Sequence, residues 1–209
     1  MRARHLVSHA LVWGVAFATL SFAEEYRGGL VTPPLPKPNF TLVDTSGARF
    51  DFRAKTDGYV TLLFFGYTRC PDMCPMQMFT IAKALKTLPA SKMSKFKVVF
   101  VTTDPARDTP AVVRAWLDHF GKSFIGLTGS KADIEAAQVA ANVSPAQKSG
   151  VLSDGSYAVG HAVWVLAYTR DNMAHLVYPI GVKQEDWAHD LPLLAQEIWT
   201  SSGRPSGSK

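Results

Sequence analysis

The stretch Cys70-Pro71-Asp72-Met73-Cys74-Pro75 holds the only two cysteines of the 209-residue chain. Their spacing, between an apolar run and the start of a helix, brings two thiols together for either disulfide exchange or the binding of a soft metal. A helix N-terminus stabilises negative charge, so Cys74 in particular is expected to have a lowered thiolate pKa, with both sulfurs exposed at the edge of a sheet. A structural disulfide is the plainer reading for an exported protein, but a bridge over so short a loop constrains the unfolded chain little. Met73, Met76 and Met78 lie near the pair and either offer thioethers to a soft metal or pack on the helix.

Two thiolates alone make a poor stable metal site, which directs attention to the six histidines. His5 and His9 lie in a segment expected to be removed. His119 falls near the end of an amphipathic helix, where a cation suits the C-terminal dipole. His189 belongs to a polar helix face and His175 begins a strand, and neither has a special setting. His161 differs, because it interrupts Ala158-Val159-Gly160-His161-Ala162-Val163-Trp164-Val165, where a bare imidazole is costly unless paired. A backbone carbonyl would satisfy it as well as a metal would, and sequence distance alone does not bring it to Cys70 and Cys74. In Asp104-Pro105-Ala106-Arg107-Asp108-Thr109-Pro110, Asp104 and Asp108 either hold a positive partner or orient the cysteine loop, or else serve as turn and cap residues.

The elements that must position these groups alternate between strand and helix. Residues 40–43 and 49–52 flank the turn Asp44-Thr45-Ser46-Gly47 as a hairpin. The continuous apolar run at 59–65 predicts a central strand buried on both faces, and 97–102 a second one. Between them, 76–88 reads as a helix, with Pro75 where a first turn tolerates it. Thr109 and Pro110 start a helix with Val113, Trp116, Leu117 and Phe120 on one face. A short strand at 124–127, a helix from Ser130 to Ala141, a hairpin of 157–168 with 175–180, and an amphipathic helix over 185–199 complete the pattern. This order predicts an α/β domain with a mixed central sheet covered by helices on both faces, as in a thioredoxin-like fold with an N-terminal hairpin.

Composition sets the boundaries. With 47% hydrophobic and 19% charged residues, the chain suits one well-buried domain. Two of its +5 formal charges are Arg2 and Arg4. They precede an apolar run over 10–22 that is too short for a membrane-spanning helix and ends in Ser21-Phe22-Ala23, small residues at the positions a signal peptidase reads. Residues 1–23 are therefore expected to be a signal peptide for bacterial export, giving a soluble periplasmic protein, or a membrane-anchored one if uncleaved. A mitochondrial presequence would be amphipathic, whereas this core is apolar all round. Residues 24–39 read as a Pro-rich linker, 40–199 as the folded domain and 200–209 as a polar tail. Scattered lysines with no basic block argue against nucleic acid as a partner.

Taken together, Phe64-Phe65-Gly66-Tyr67-Thr68-Arg69 running into the cysteine motif, the loop that follows from Val101 to Pro110, and the distal histidine resemble the Sco/SenC family. The resemblance covers residues 40 to about 199, nearly all of the expected mature chain. It implies a thioredoxin-like copper-binding protein that assists cytochrome c oxidase assembly, with copper ligands at Cys70, Cys74 and His161. Family members resembling this chain usually carry an acidic residue just before the histidine, where this chain has Gly160, which bears on how the ligand is oriented and the metal tuned.

Two function classes follow. In the first, the chain is a metallochaperone that holds Cu(I) or Cu(II) and passes it to a cytochrome c oxidase subunit. An upstream copper donor and a periplasmic thiol reductant are then implied, since an oxidising compartment tends to close the cysteine pair. In the second, it is a thiol-disulfide oxidoreductase in which Cys70 and Cys74 reduce partner cysteines, a role that needs no histidine. A third reaction, peroxide reduction, requires a polar pocket around one thiolate that nothing outside the loop clearly supplies.

Overall fold

A computed structural model describes residues 26–151, 157–196 and 199. The expected signal peptide and polar tail lie outside the described residues. In chain order the first elements are β1 (Gly29–Pro36), β2 (Thr41–Asp44), β3 (Arg49–Asp51), α1 (Phe52–Thr56), β4 (Val60–Gly66), α2 (Met73–Leu85), α3 (Ala90–Met93) and β5 (Phe96–Thr102). There follow α4 (Pro110–Leu117), β6 (Ile125–Thr128), α5 (Lys131–Ala140), β7 (Gln147–Val151), β8 (Tyr157–Gly160), β9 (Val165–Tyr168), β10 (Met173–Tyr178) and α6 (Gln184–Leu194). No helix among the described residues is long and apolar enough to cross a membrane.

Eight strands form one mixed sheet in the order β1-β10-β9-β4-β5-β6-β2-β3, while β7 and β8 form a separate two-stranded ribbon. Strand β4 runs parallel to β5, and β5 to β6; the other ladders of the large sheet are antiparallel. All of β4 is buried. Because side chains alternate along a strand, Leu62 and Phe64 enter one core and Leu63 and Phe65 the other. Met78 and Ile81 of α2, Leu117 of α4 and Trp187 and Leu191 of α6 fill the first core. Phe52 of α1 with Ile134 and Ala137 of α5 fills the second. Each leucine, isoleucine, methionine or phenylalanine among them, fully buried, contributes about 1.5–3 kcal/mol, and the sheet is covered on both faces as its sequence pattern predicts.

Local chemistry sets the turns and caps. Asp44 Oδ1 accepts from the amides of Ser46 and Ala48, and Gly47 takes the positive φ of 86° that the β2–β3 turn requires. The hydroxyls of Thr109 and Ser130 accept the amides of Val112 and Asp133, opening α4 and α5.

Three expectations need correction. Residues 29–36, read from their prolines as part of a tether, form the edge strand β1. Gly29 and Leu30 pair with Val177 and Leu176, Leu35 and Pro36 with Ala174 and Met173, and the register breaks between. An edge strand tolerates proline because its outer side needs no amide. The expected strand 157–168 is two strands with different partners, β8 on β7 and β9 in the main sheet, and His161 lies between them. The last helix contains Pro192 and closes at Leu194, short of the expected 199; Trp199 instead stacks on His175 with ring centroids 4.2 Å apart.

The start of β1 is fastened from the far end of the chain. Asp190 of α6, wholly buried, accepts from the amides of Arg27 (3.0 Å) and Gly28 (2.9 Å) and from the Tyr178 hydroxyl (2.9 Å).

Candidate metal centre

Strand β4 ends at Gly66, and a buried carboxylate shapes the turn that follows. Asp108 Oδ2 accepts from the amide of Thr68 (2.9 Å) and the hydroxyl of Thr102 (2.6 Å), and its Oδ1 accepts from the Thr68 hydroxyl (2.6 Å). Of the roles open to it, Asp108 thus orients the cysteine loop. Asp104, also buried, forms an ion pair with Arg107 and accepts from the Tyr157 hydroxyl (2.8 Å).

Helix α2 opens at Met73, three residues before its expected start, which places Cys74 inside the first turn and Cys70 ahead of it. A Cβ at Gly66 would lie 2.9 Å from Cys74 Sγ, 3.0 Å from Phe100 and 3.1 Å from Phe64. The bare glycine is what lets the helix seat its sulfur against the end of β4. Both cysteines are free thiols and both are buried, contrary to the expected exposure. The cause is position: β4 lies in the middle of the sheet, and α2 packs its first turn onto it.

The two thiols are unequal, in the reverse of the expected sense. The amide of Cys74 donates to Cys70 Sγ (3.4 Å), so the positive end of the helix faces Cys70. A hydrogen bond from the Cys74 thiol holds Cys70 well below the usual thiol range, against burial and with help from the Cys74 amide. Donating that bond pushes Cys74 up, and burial and the Cys70 charge push it further.

His161 completes the cluster. Its Nε2 lies 3.4 Å from Cys74 Sγ, and the donor atoms of Cys70, Cys74 and His161 all fall within 4.8 Å of one another. Nδ1 is 2.8 Å from the carbonyl oxygen of Ala162. A carbonyl only accepts, so Nδ1 carries the proton and Nε2 turns its lone pair toward the thiols. Tyr67 meets the imidazole edge-on at 5.6 Å, and Phe64 at 6.1 Å. The orienting group beside the histidine is therefore main chain. At Gly160 a Cβ would meet nothing nearer than Ser149 Oγ at 3.5 Å.

The other candidates fall elsewhere. His119 is exposed, His175 is buried with Nε2 2.8 Å from Asp171, and His189 contacts Asp190. Met78 is wholly buried in the core, whereas Met73 and Met76 are exposed on α2. From the sequence alone, Gly66, Tyr67, Arg107 and Tyr157 received no individual role. Arg107 stood within the loop already singled out, but glycine and tyrosine carry no chemical signal without coordinates.

Two sulfurs and one imidazole nitrogen are donors for a soft, singly charged ion such as Cu(I), and an added oxygen would accommodate Cu(II). Structural zinc prefers four protein ligands.

Comparison with known proteins agrees with this geometry. Residues 32–196 match the SCO1/SenC family. The chain is 35% identical over 124 residues to an SCO2-like protein of Rickettsia felis, the alignment covering 59% of this chain and 60% of that protein's length. The apo Sco1 solution structure from Thermus thermophilus superposes with a TM-score of 0.71 at 30% identity, over 82% of this chain and 98% of that one. Bradyrhizobium japonicum ScoI with copper bound gives 0.67 at 31%, over 77% and 99%. The mixed sheet and its helices are the thioredoxin-like architecture of these neighbours. With the family match spanning most of its length and the three donors gathered at one end of β4, this chain belongs to the SCO1/SenC family.

Proposed function

We propose that this protein is a periplasmic copper metallochaperone that binds Cu(I) or Cu(II) through Cys70, Cys74 and His161 and delivers it to a copper-accepting subunit of cytochrome c oxidase. The observation that carries this reading is the placement of His161, with Nδ1 2.8 Å from the Ala162 carbonyl oxygen and Nε2 3.4 Å from Cys74 Sγ, beside the second thiol. Exchange of disulfides would not call for it. Copper bound to the relative from Bradyrhizobium supports the choice of metal. An upstream donor must supply the ion, and a thiol reductant must keep Cys70 and Cys74 open in an oxidising compartment. Export of the mature chain by a signal at 1–23 belongs to the same reading.

A second reading rests on the inequality of the thiols. Cys70, the more acidic and the less deeply buried, would attack a partner disulfide, and Cys74 would resolve the mixed disulfide. An anaerobic Cu(I) competition titration of the reduced protein, with Cu(II) followed by thiolate charge-transfer absorption, separates the two. Equimolar binding that His161→Ala weakens by about tenfold or more is expected for a lost ligand. Weak binding indifferent to that substitution would transfer the function to thiol-disulfide exchange.

A further inference from the structure

The β7–β8 ribbon shares no ladder with the eight-stranded sheet, and all of β7 is exposed. One of its attachments to the body is made by the first residue of β8. The Tyr157 hydroxyl donates to Asp104 Oδ1 at 2.8 Å, and the guanidinium carbon of Arg107 stands 3.7 Å from the centre of its ring. Lys148 of β7 stands 4.1 Å from that ring. Arg107 is fixed in turn by its ion pair with Asp104, and its two outer nitrogens are buried without a hydrogen-bond partner among the described residues. Such a placement is costly for a cation, and the facing ring and carboxylate offset it.

The same arginine lies 5.8 Å from the ring of Tyr67, the residue that meets His161 edge-on. Strand β8 leads from Tyr157 straight to His161, and between them Val159 is tucked into the core. The register of β8 therefore sets where the imidazole begins, and a one-residue slip would turn every side chain to the other face.

We infer that Tyr157 is a positioning residue for His161: seated on Asp104 and Arg107, it holds the ribbon where Nε2 reaches the two thiols. The inference rests on the copper reading above. It makes the nitrogen ligand dependent on a contact in the loop after β5, while the sulfur ligands depend on α2 and β4.

The test uses the reduced full chain and four variants: Tyr157→Ala, Tyr157→Phe, His161→Ala and the double variant Tyr157→Ala/His161→Ala. Cu(I) affinity is read by competition, and nitrogen hyperfine coupling is read from the Cu(II) spin-resonance spectrum. Tyr157→Ala is expected to weaken Cu(I) about tenfold, as loss of an orienting partner does, and to erase the nitrogen coupling. Tyr157→Phe keeps the ring on Arg107, so it should retain the coupling and bind within about threefold of the parent protein. The double variant should bind like His161→Ala alone, because a residue acting through the histidine has nothing further to remove. If Tyr157→Ala does not fold, Arg107→Met removes the cation facing the ring and carries the same expectation. Unchanged affinity and coupling in Tyr157→Ala, or a full penalty on top of His161→Ala, would overturn the positioning role alone. His161→Ala with unaltered copper binding would overturn the copper reading and this inference with it.

Discussion

The two sides of the cluster are built differently. Cys70 and Cys74 stand on the first turn of α2 and the turn before it, pressed against the end of a wholly buried strand and fixed through a buried aspartate. His161 arrives from a ribbon outside the main sheet, in a segment with no ladder of its own. The sulfurs are thus part of the core, and their geometry is paid for by the same packing that folds the protein. The nitrogen is added at the rim through a few named contacts. Affinity and stability should separate along this line.

The largest effect that sharpens the contrast comes from Cys70→Ser or Cys74→Ser, either of which should abolish tight Cu(I) binding and the Cu(II) charge-transfer band, as a competition titration would show. Next is Asp108→Ala. It strands two threonine hydroxyls and an amide, so a loss of about 3 kcal/mol in denaturant unfolding is expected, with copper affinity falling in parallel. Gly66→Ala forces a methyl into Cys74 Sγ and two phenylalanine rings and should destabilise by about 1–3 kcal/mol. If its melting curve and copper affinity both matched the parent, the sulfur side would not be core-bound in the sense argued. On the other side, Gly160→Asp enters open space beside Ser149 and should change stability by no more than about 0.5 kcal/mol. Any gain in copper affinity by that variant would measure what an acidic neighbour adds to the carbonyl already on Nδ1.

How much of this was legible in the sequence follows the same division. Strand β4 is apolar but for Thr61 and Gly66, and β5 carries the apolar run 98–101; such runs have little alternative to a buried sheet. Proline and glycine chemistry located the β2–β3 turn and the start of α4. The cysteine pair was legible as a pair, but not its asymmetry. Proximity to a helix start pointed to Cys74, whereas the amide and the thiol of Cys74 both donate to Cys70. On the histidine side, periodicity joined 157–168 into one strand because the residues on both sides of His161 are apolar. The exchange of partners from β7 to the main sheet leaves no trace in hydrophobic pattern. Residues 29–36 were hidden for a similar reason, since edge pairing to β10 survives prolines that would exclude a central strand.

The clasp at Asp190 has a consequence in time as well as in space. It binds backbone 163 residues away, and it does so at the strand that borders β10, among the last strands to be made. Closing a loop of that size is entropically late and kinetically slow. The first strand of the chain must wait for nearly all of the rest before it can dock. A polypeptide wired in this order stays pliable while it is still emerging, N-terminus first, and locks only when its C-terminal helix arrives.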